Sequence, residues 1–170
     1  MNTLLIIDMQ EGFRFPETEK IAQSLRDNLS QFEGKIVFVC FKDVVGSRFE
    51  KDLKWTIFQN IEKQKILSEL KDMAEDKEII FHSGYGIKIP QDLIKSGDKI
   101  FLAGIFTDVC ILHTALELFD QGIDVYVIED WCASPNNHYN KEIHSCALET
   151  IRHAIAKDKV IQSSNLKTNL

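Results

Sequence analysis

No stretch of this sequence stays apolar for the roughly 20 residues that a bilayer-spanning helix requires; the longest apolar runs are strand-sized. No lysine- or arginine-dense stripe interrupts the mixed charge pattern, and 20 Lys+Arg against 26 Asp+Glu give a formal charge of -6. An acidic chain of this kind has no general attraction for phosphate backbones or anionic lipid, so neither nucleic-acid nor membrane partners are expected. Cysteine is scarce. The four present, Cys40, Cys110, Cys132 and Cys146, form no CxxC pair, which predicts reduced thiols, mostly small buried hydrophobes, rather than a disulfide framework. The amino terminus reaches Asp8 without a basic segment, unlike a secretory leader, and the expected location is the cytoplasm. Neither GxGxxG nor GxxxxGK[ST] occurs, and Gly84 and Gly86 imitate a nucleotide loop only superficially. His113, His138, His144 and His153 fall in no HExxH or finger spacing. The expectation is therefore no cofactor and no metal.

What is present fits one domain. The 170 residues are 44% hydrophobic and 27% charged, ordinary for a folded chain with a single core. Thr3 to Ile7 is a continuous apolar run without alternation, the pattern of a strand buried on both faces of a parallel sheet. Ile21, Leu25, Leu29 and Phe32 recur at helical spacing between about Thr18 and Phe32, with Gly34 as a stop. Lys35 to Phe41 reads as the next strand. Residues 42 to 56 read mostly as loop and as a candidate substrate wall. A helix bearing Ile66, Leu70 and Met73 should follow, then a short buried strand from Glu78 to Phe81. A helical turn near Pro90 points Leu93 and Ile94 inward. Lys99 to Ala103 is a fourth strand ended by Gly104. A helix from about Asp108 to Asp120 and a strand from Ile123 to Ile128 come next. A loop through Asp130, Cys132, Ser134 and Pro135 leads to a long helix carrying Ile143, Ala147, Leu148, Ile151 and Ile155. Val160-Ile161 is a candidate last strand before a polar, frayed tail. Strands alternating with helices predict an α/β fold: a doubly wound, Rossmann-like three-layer sandwich on a central parallel sheet of about six strands.

Folds of this layout bind ligands beyond the carboxyl ends of their strands. Asp8, His82 and the segment from Gly104 to Cys110 all follow such ends. Cys110 falls in the first turn of a helix, where free N–H groups favour a thiolate, and Thr107 or Asp108 is a candidate cap. Asp8 is a candidate general base for that thiol, and His82 a candidate source of positive charge or of a proton. Read singly, each has a plain alternative: a structural cysteine, a carboxylate accepting loop N–H groups, a satisfied histidine.

Taken together the motifs resemble the isochorismatase-like cysteine hydrolases, which include nicotinamidases and related amidohydrolases. The resemblance rests on Leu4-Leu5-Ile6-Ile7-Asp8-Met9-Gln10-Glu11-Gly12-Phe13, on Gly104-Ile105-Phe106-Thr107-Asp108-Val109-Cys110-Ile111 and on Thr114-Ala115. Glu129-Asp130, Cys132-Ala133-Ser134 and a helix headed by His144 extend it over nearly the whole chain. It implies an Asp-Lys-Cys triad in which Asp8 is the base and Cys110 the nucleophile. It implies also a cis peptide at Ile105-Phe106 and an oxyanion hole formed by the N–H groups of Phe106 and Cys110. Phe13, Trp55, Tyr85 and Ile111 are the expected apolar residues of the substrate cleft. A homodimer or higher homo-oligomer is implied as well.

Two departures stand out. His82 occupies the family's lysine position, in Phe81-His82-Ser83-Gly84-Tyr85, with Lys88 a distant substitute. A histidine keeps its charge at neutral pH only if a carboxylate raises its pKa. The nicotinamidase metal motif is represented by Asp43 alone, with no histidine after it, which points to a metal-independent enzyme. The leading expectation is a cysteine hydrolase of a small amide or related C–N bond that forms a thioester acyl-enzyme, with isochorismate a weaker candidate. The alternative is a catalytically impaired relative acting as a binding or assembly protein. A third reading is a redox role for Cys110 with Cys132 as its partner.

Overall fold

The computed structural model describes residues 2–90, 93–94, 97–135 and 142–169. Six strands are present: β1 (Asn2–Ile7), β2 (Lys35–Phe41), β3 (Glu78–His82), β4 (Lys99–Ile105), β5 (Asp124–Ala133) and β6 (Val160–Ile161). The helices are α1 (Pro16–Asn28), α2 (Arg48–Leu53), α3 (Ile61–Gln64), α4 (Lys71–Ala74), α5 (Leu112–Asp120), α6 (Ile143–Ala154) and α7 (Leu166–Asn169). The strands form one parallel sheet in the order β3-β2-β1-β4-β5-β6. Leu4 of β1 pairs with Ile36 on one side and Phe101 on the other, so β1 is central and its run from Leu4 to Ile7 is fully buried. Alternate side chains face opposite layers. Leu4, Ile6, Phe38 and Phe101 pack against Ile21 and Leu25 of α1. Leu5, Ile7, Val39 and Leu102 pack against Ala115 and Leu118 of α5 and Leu148 and Ile151 of α6. This is the expected three-layer sandwich. Successive strands run outward from β1 in one direction and from β4 in the other, so the crevice beyond the ends of β1 and β4 is the switch point where such folds bind ligands.

Several elements depart from the sequence reading. The helix expected to reach Phe32 ends as α1 at Asn28 and tightens into a 3-10 turn over Leu29–Gln31. The loop at 42 to 56 contains α2, which Ser47 caps by accepting the Glu50 N–H. The amphipathic helix expected around Ile66 to Met73 is broken into a 3-10 turn and the four-residue α4, because Ile66 instead bridges Gln10. β3 is not a buried strand. It is the sheet edge, and Ile79 and Phe81 are 41% and 61% exposed. β5 runs on to Ala133 through the segment read as loop, because Cys132 and Ala133 pair with Gly104 and Ile105 after a register shift. β4 likewise continues through Gly104. The tail is held: Leu166 is buried in the core, and the Asp130 carboxylate accepts hydrogen bonds from the Ser163 N–H and hydroxyl. Near Pro90, Leu93 is buried as expected, while Gln91 and Asp92 lie outside the described residues, as does His138.

Candidate active site

β1 ends at Ile7, and Asp8 turns into the left-handed region with φ 58, a conformation that Asp and Asn tolerate better than most side chains. The turn sends its carboxylate into the crevice. His82 closes β3 two strands away and reaches back under the end of β2, its ring edge-on to Phe41 at 5.3 Å between centroids. Its Nε2 meets Asp8 Oδ1 at 2.8 Å, with the two side chains 2% and 1% exposed. Its Nδ1 lies 2.7 Å from the Gly84 carbonyl oxygen.

That geometry sets the ring's protonation. A carbonyl can only accept, so Nδ1 carries a proton; a carboxylate also accepts, so Nε2 carries one too. Two acceptors facing the ring favour its imidazolium form. Burial disfavours its charge, but the hydrogen bond and charge of Asp8, with the Gly84 carbonyl, outweigh burial and raise the pKa above the ordinary 6.5. The pairing thus favours a positive charge on His82, the residue at the position where the family resemblance implied a lysine. Lys88, the other cation considered, is exposed and takes no part in the cavity.

Cys110 comes from the third direction. Ile105-Phe106 is cis, as the resemblance implied, and Thr107–Ile111 then form one wide π-helical turn before α5. Neither Thr107 nor Asp108 caps this turn. Thr107 bonds His144 Nδ1 at 2.8 Å, and the Asp108 carboxylate accepts the Ser134 hydroxyl. Burial lowers the pKa of His144, so its neutral ring can take the Thr107 proton. These bonds tie the Cys110 turn to α6 and to Ser134, just after β5. His144 and Ser134 appeared in the sequence only as parts of a motif, because the contact spans residues far apart in the chain.

Cys110 is 6% exposed and lines a cavity of about 340 Å³. It is not a resting thiolate. Burial, then the charge of Asp8 and a hydrogen bond to Asp8, push the thiol well above its ordinary 9.0, with the Phe106 N–H pulling the other way. The expected helix-end stabilisation is outweighed because the sulfur is desolvated beside a carboxylate. Asp8 Oδ2, opposite the oxygen bound to His82, is buried with no hydrogen bond of good geometry, so the contact with the thiol is a loose one. We predict that iodoacetamide at pH 7.5 modifies exposed Cys146 first and Cys110 at least about tenfold more slowly. Peptide mapping over time checks this, and Cys110 reacting first below pH 7 contradicts it.

Of the residues proposed from the sequence for the cleft, Phe13, Trp55 and Tyr85 line this cavity. Ile111 does not: it is fully buried between the sheet and α5, because the wide turn rotates it inward. The sequence reading missed Phe15, Phe41, Phe49 and Val109, which belong to the same wall. It missed Gln10 as well. The fully buried Gln10 amide donates to the Phe41 carbonyl at 3.0 Å and accepts the Phe41 N–H at 2.6 Å, locking the ends of β1 and β2 together. A larger groove of about 750 Å³ runs along β3 beside Ile79 and Phe81, but it holds none of Asp8, His82 and Cys110.

Asp43 Oδ1 accepts the Val44 N–H and the Ser47 hydroxyl, and no group of three His, Cys, Asp or Glu side chains suited to a metal occurs among the described residues. Cys132 is buried with its thiol against the Leu102 carbonyl at 3.7 Å, and it is not part of the cavity wall.

Residues 2–159 match the family model described as the isochorismatase domain. The chain belongs to the isochorismatase family. Among curated relatives, the secreted isochorismatase effector Isc1 of Phytophthora sojae is 42% identical over 66 residues, covering 39% of this chain and 30% of its own length. Isochorismatase domain-containing protein 2 of Xenopus laevis is 28% identical over 143 residues, 78% of this chain and 60% of its own. The chain thus spans less than two thirds of the length of each of these relatives. An isochorismatase-like hydrolase from Alkaliphilus metalliredigens superimposes with a TM-score of 0.81 at 20% identity, over 99% of this chain and 98% of its own, a likeness of fold. Among the described residues of this isochorismatase-family chain, no helix is long and apolar enough to cross a membrane.

Proposed function

We propose that this protein is a metal-independent cysteine hydrolase of a small amide or related C–N bond. The observation that carries the reading is a buried Asp8–His82 pair directly behind a cysteine that faces a cavity. The Asp8 carboxylate takes the thiol proton as the sulfur bonds to the substrate carbonyl carbon. His82 keeps its positive charge throughout, so the developing thiolate forms beside a cation rather than a lone acid. The Phe106 N–H, which already lies against the sulfur, and the Cys110 N–H would hold the oxyanion. Collapse breaks the C–N bond, the proton on Asp8 passes to the leaving nitrogen, and a thioester remains on Cys110. Water, deprotonated by Asp8, then releases the acid and returns the thiol. An amide suits this chemistry because its nitrogen departs only when protonated, and the buried acid supplies that proton. The reading includes a small-molecule substrate and, as the family resemblance implies, a cytoplasmic homo-oligomer.

The test is ammonia or amine release from a panel of carboxamides, with the acyl-enzyme trapped and mapped to Cys110 by mass spectrometry. Turnover that survives Cys110→Ala contradicts the reading.

The histidine makes a specific prediction. As pH rises through the elevated pKa of His82, the ring loses its charge, and both the site's cation and the stability contributed by the pair are lost. kcat/KM should therefore fall on the alkaline side, with a limb above 6.5. In His82→Lys that limb should move up toward the ordinary lysine value of about 10.4, with turnover at neutral pH kept or raised. A limb that stays in place removes His82 from the role of cation.

A further inference from the structure

Among the described residues, none that lines the cavity over Cys110 carries a charged side chain. Phe13, Phe41, Trp55 and Phe106 form its wall, and among the described residues the polar side-chain groups in its lining are the uncharged Tyr85 hydroxyl, Trp55 indole N–H and Cys110 thiol. The Asp8–His82 pair lies behind Cys110 and is not among the residues that line the cavity, and as an ion pair it offers a ligand little net charge. A carboxylate entering this space would shed its water and find no unpaired cation among the described residues, whereas an uncharged apolar group loses little and gains contact with the rings.

We infer that the substrate of this site is an uncharged carboxamide whose acyl group is apolar and at least the size of an aromatic ring, and that carboxylate-bearing molecules are excluded. The inference rests on the hydrolase reading above and names what that site accepts. It excludes isochorismate, which carries two carboxylates. The mouth of the cavity extends the same logic outward. Phe15, Leu53 and Ile57, all rim residues, are 39%, 60% and 44% exposed, leaving apolar side chains in water at the entrance. An acyl group longer than a single ring continues to find apolar surface there. Each added methylene that reaches the rim should raise kcat/KM by about fourfold, the worth of one buried CH₂.

The experiment compares 4-methylbenzamide with 4-carbamoylbenzoate, which share ring and amide and differ in charge at the far end. With the unmodified protein, kcat/KM should favour the methyl compound by at least about 100-fold. Binding of both to Cys110→Ala, followed by quenching of Trp55 fluorescence, should show the same order. Equal or reversed binding, or binding of neither, overturns the inference whatever the turnover. A preserved binding preference with no turnover in the unmodified protein leaves the inference standing and overturns the cysteine-hydrolase reading instead. Leu53→Lys places a cation on an exposed rim position and should shift the ratio at least about tenfold toward the carboxylate. An unchanged ratio overturns the placement of the acyl group at this rim.

Discussion

Asp8→Asn is expected to lower kcat/KM by at least about 10³-fold while making the Cys110 thiol more acidic. The two effects run in opposite directions because Asp8 acts on the sulfur in two ways. Its negative charge and hydrogen bond are second and third, after burial, among the causes that keep the thiol protonated, so removing them eases ionisation. The same carboxylate is the only buried base against the sulfur among the described residues, and an amide cannot take its proton or return one to the leaving nitrogen. Asparagine is the informative replacement because the position has φ 58, which asparagine accepts without new backbone strain. Its side chain can still hydrogen-bond His82, which is free to become neutral once its counter-charge is gone. The measurement pairs turnover with the pH dependence of alkylation at Cys110. Labelling that speeds up at neutral pH while turnover collapses is the expected signature. Cys40 and Cys132, both buried, report on unfolding and should stay unlabelled. A thiol unchanged in acidity would remove Asp8 from contact with the nucleophile.

Gly104→Ala is expected to cost about 3–5 kcal/mol of stability, in the range reserved for severe backbone or packing conflicts. Gly104 sits inside β4 with φ 113, and a Cβ there would lie 2.1 Å from the Ile7 carbonyl oxygen and 2.7 Å from the Ile7 nitrogen. Those atoms are the backbone of the central strand, so no side-chain rotation relieves the clash. β1 and β4 would have to part at the switch point. For a domain of this size each kcal/mol shifts Tm by roughly 2–4 °C, so the midpoint should fall by about 10 °C. The separation would also move Asp8, the residue after Ile7, so activity should fall further than the folded fraction alone requires. Thermal unfolding followed by circular dichroism checks the first part. A midpoint within about 2 °C of the unmodified protein would show that the sheet yields at this point.

The amino-acid pattern was sufficient for the layout of the fold, since unbroken apolar runs such as Leu4 to Ile7 can be buried only between two helical layers. It was sufficient also to place Asp8, His82 and Cys110 at strand ends, because a carboxylate or imidazole closing such a run stands where the sheet stops. It misread elements whose state depends on neighbours. The edge position of β3, the strand pairing of Cys132 and the inward turn of Ile111 are set by partners distant in the chain, which leave no local periodicity.

Whether His82 serves as a cation was likewise beyond one-dimensional reading. The answer lies in two acceptors, Asp8 and the Gly84 carbonyl, converging on its ring, and in a protonated thiol kept so by desolvation and a neighbouring charge. Residue order dictates which groups can meet at the crevice, because hydrophobic burial chooses the strands. Only their packing in three dimensions dictates which proton each group holds, because pKa depends on distance and solvent exclusion that no linear spacing encodes.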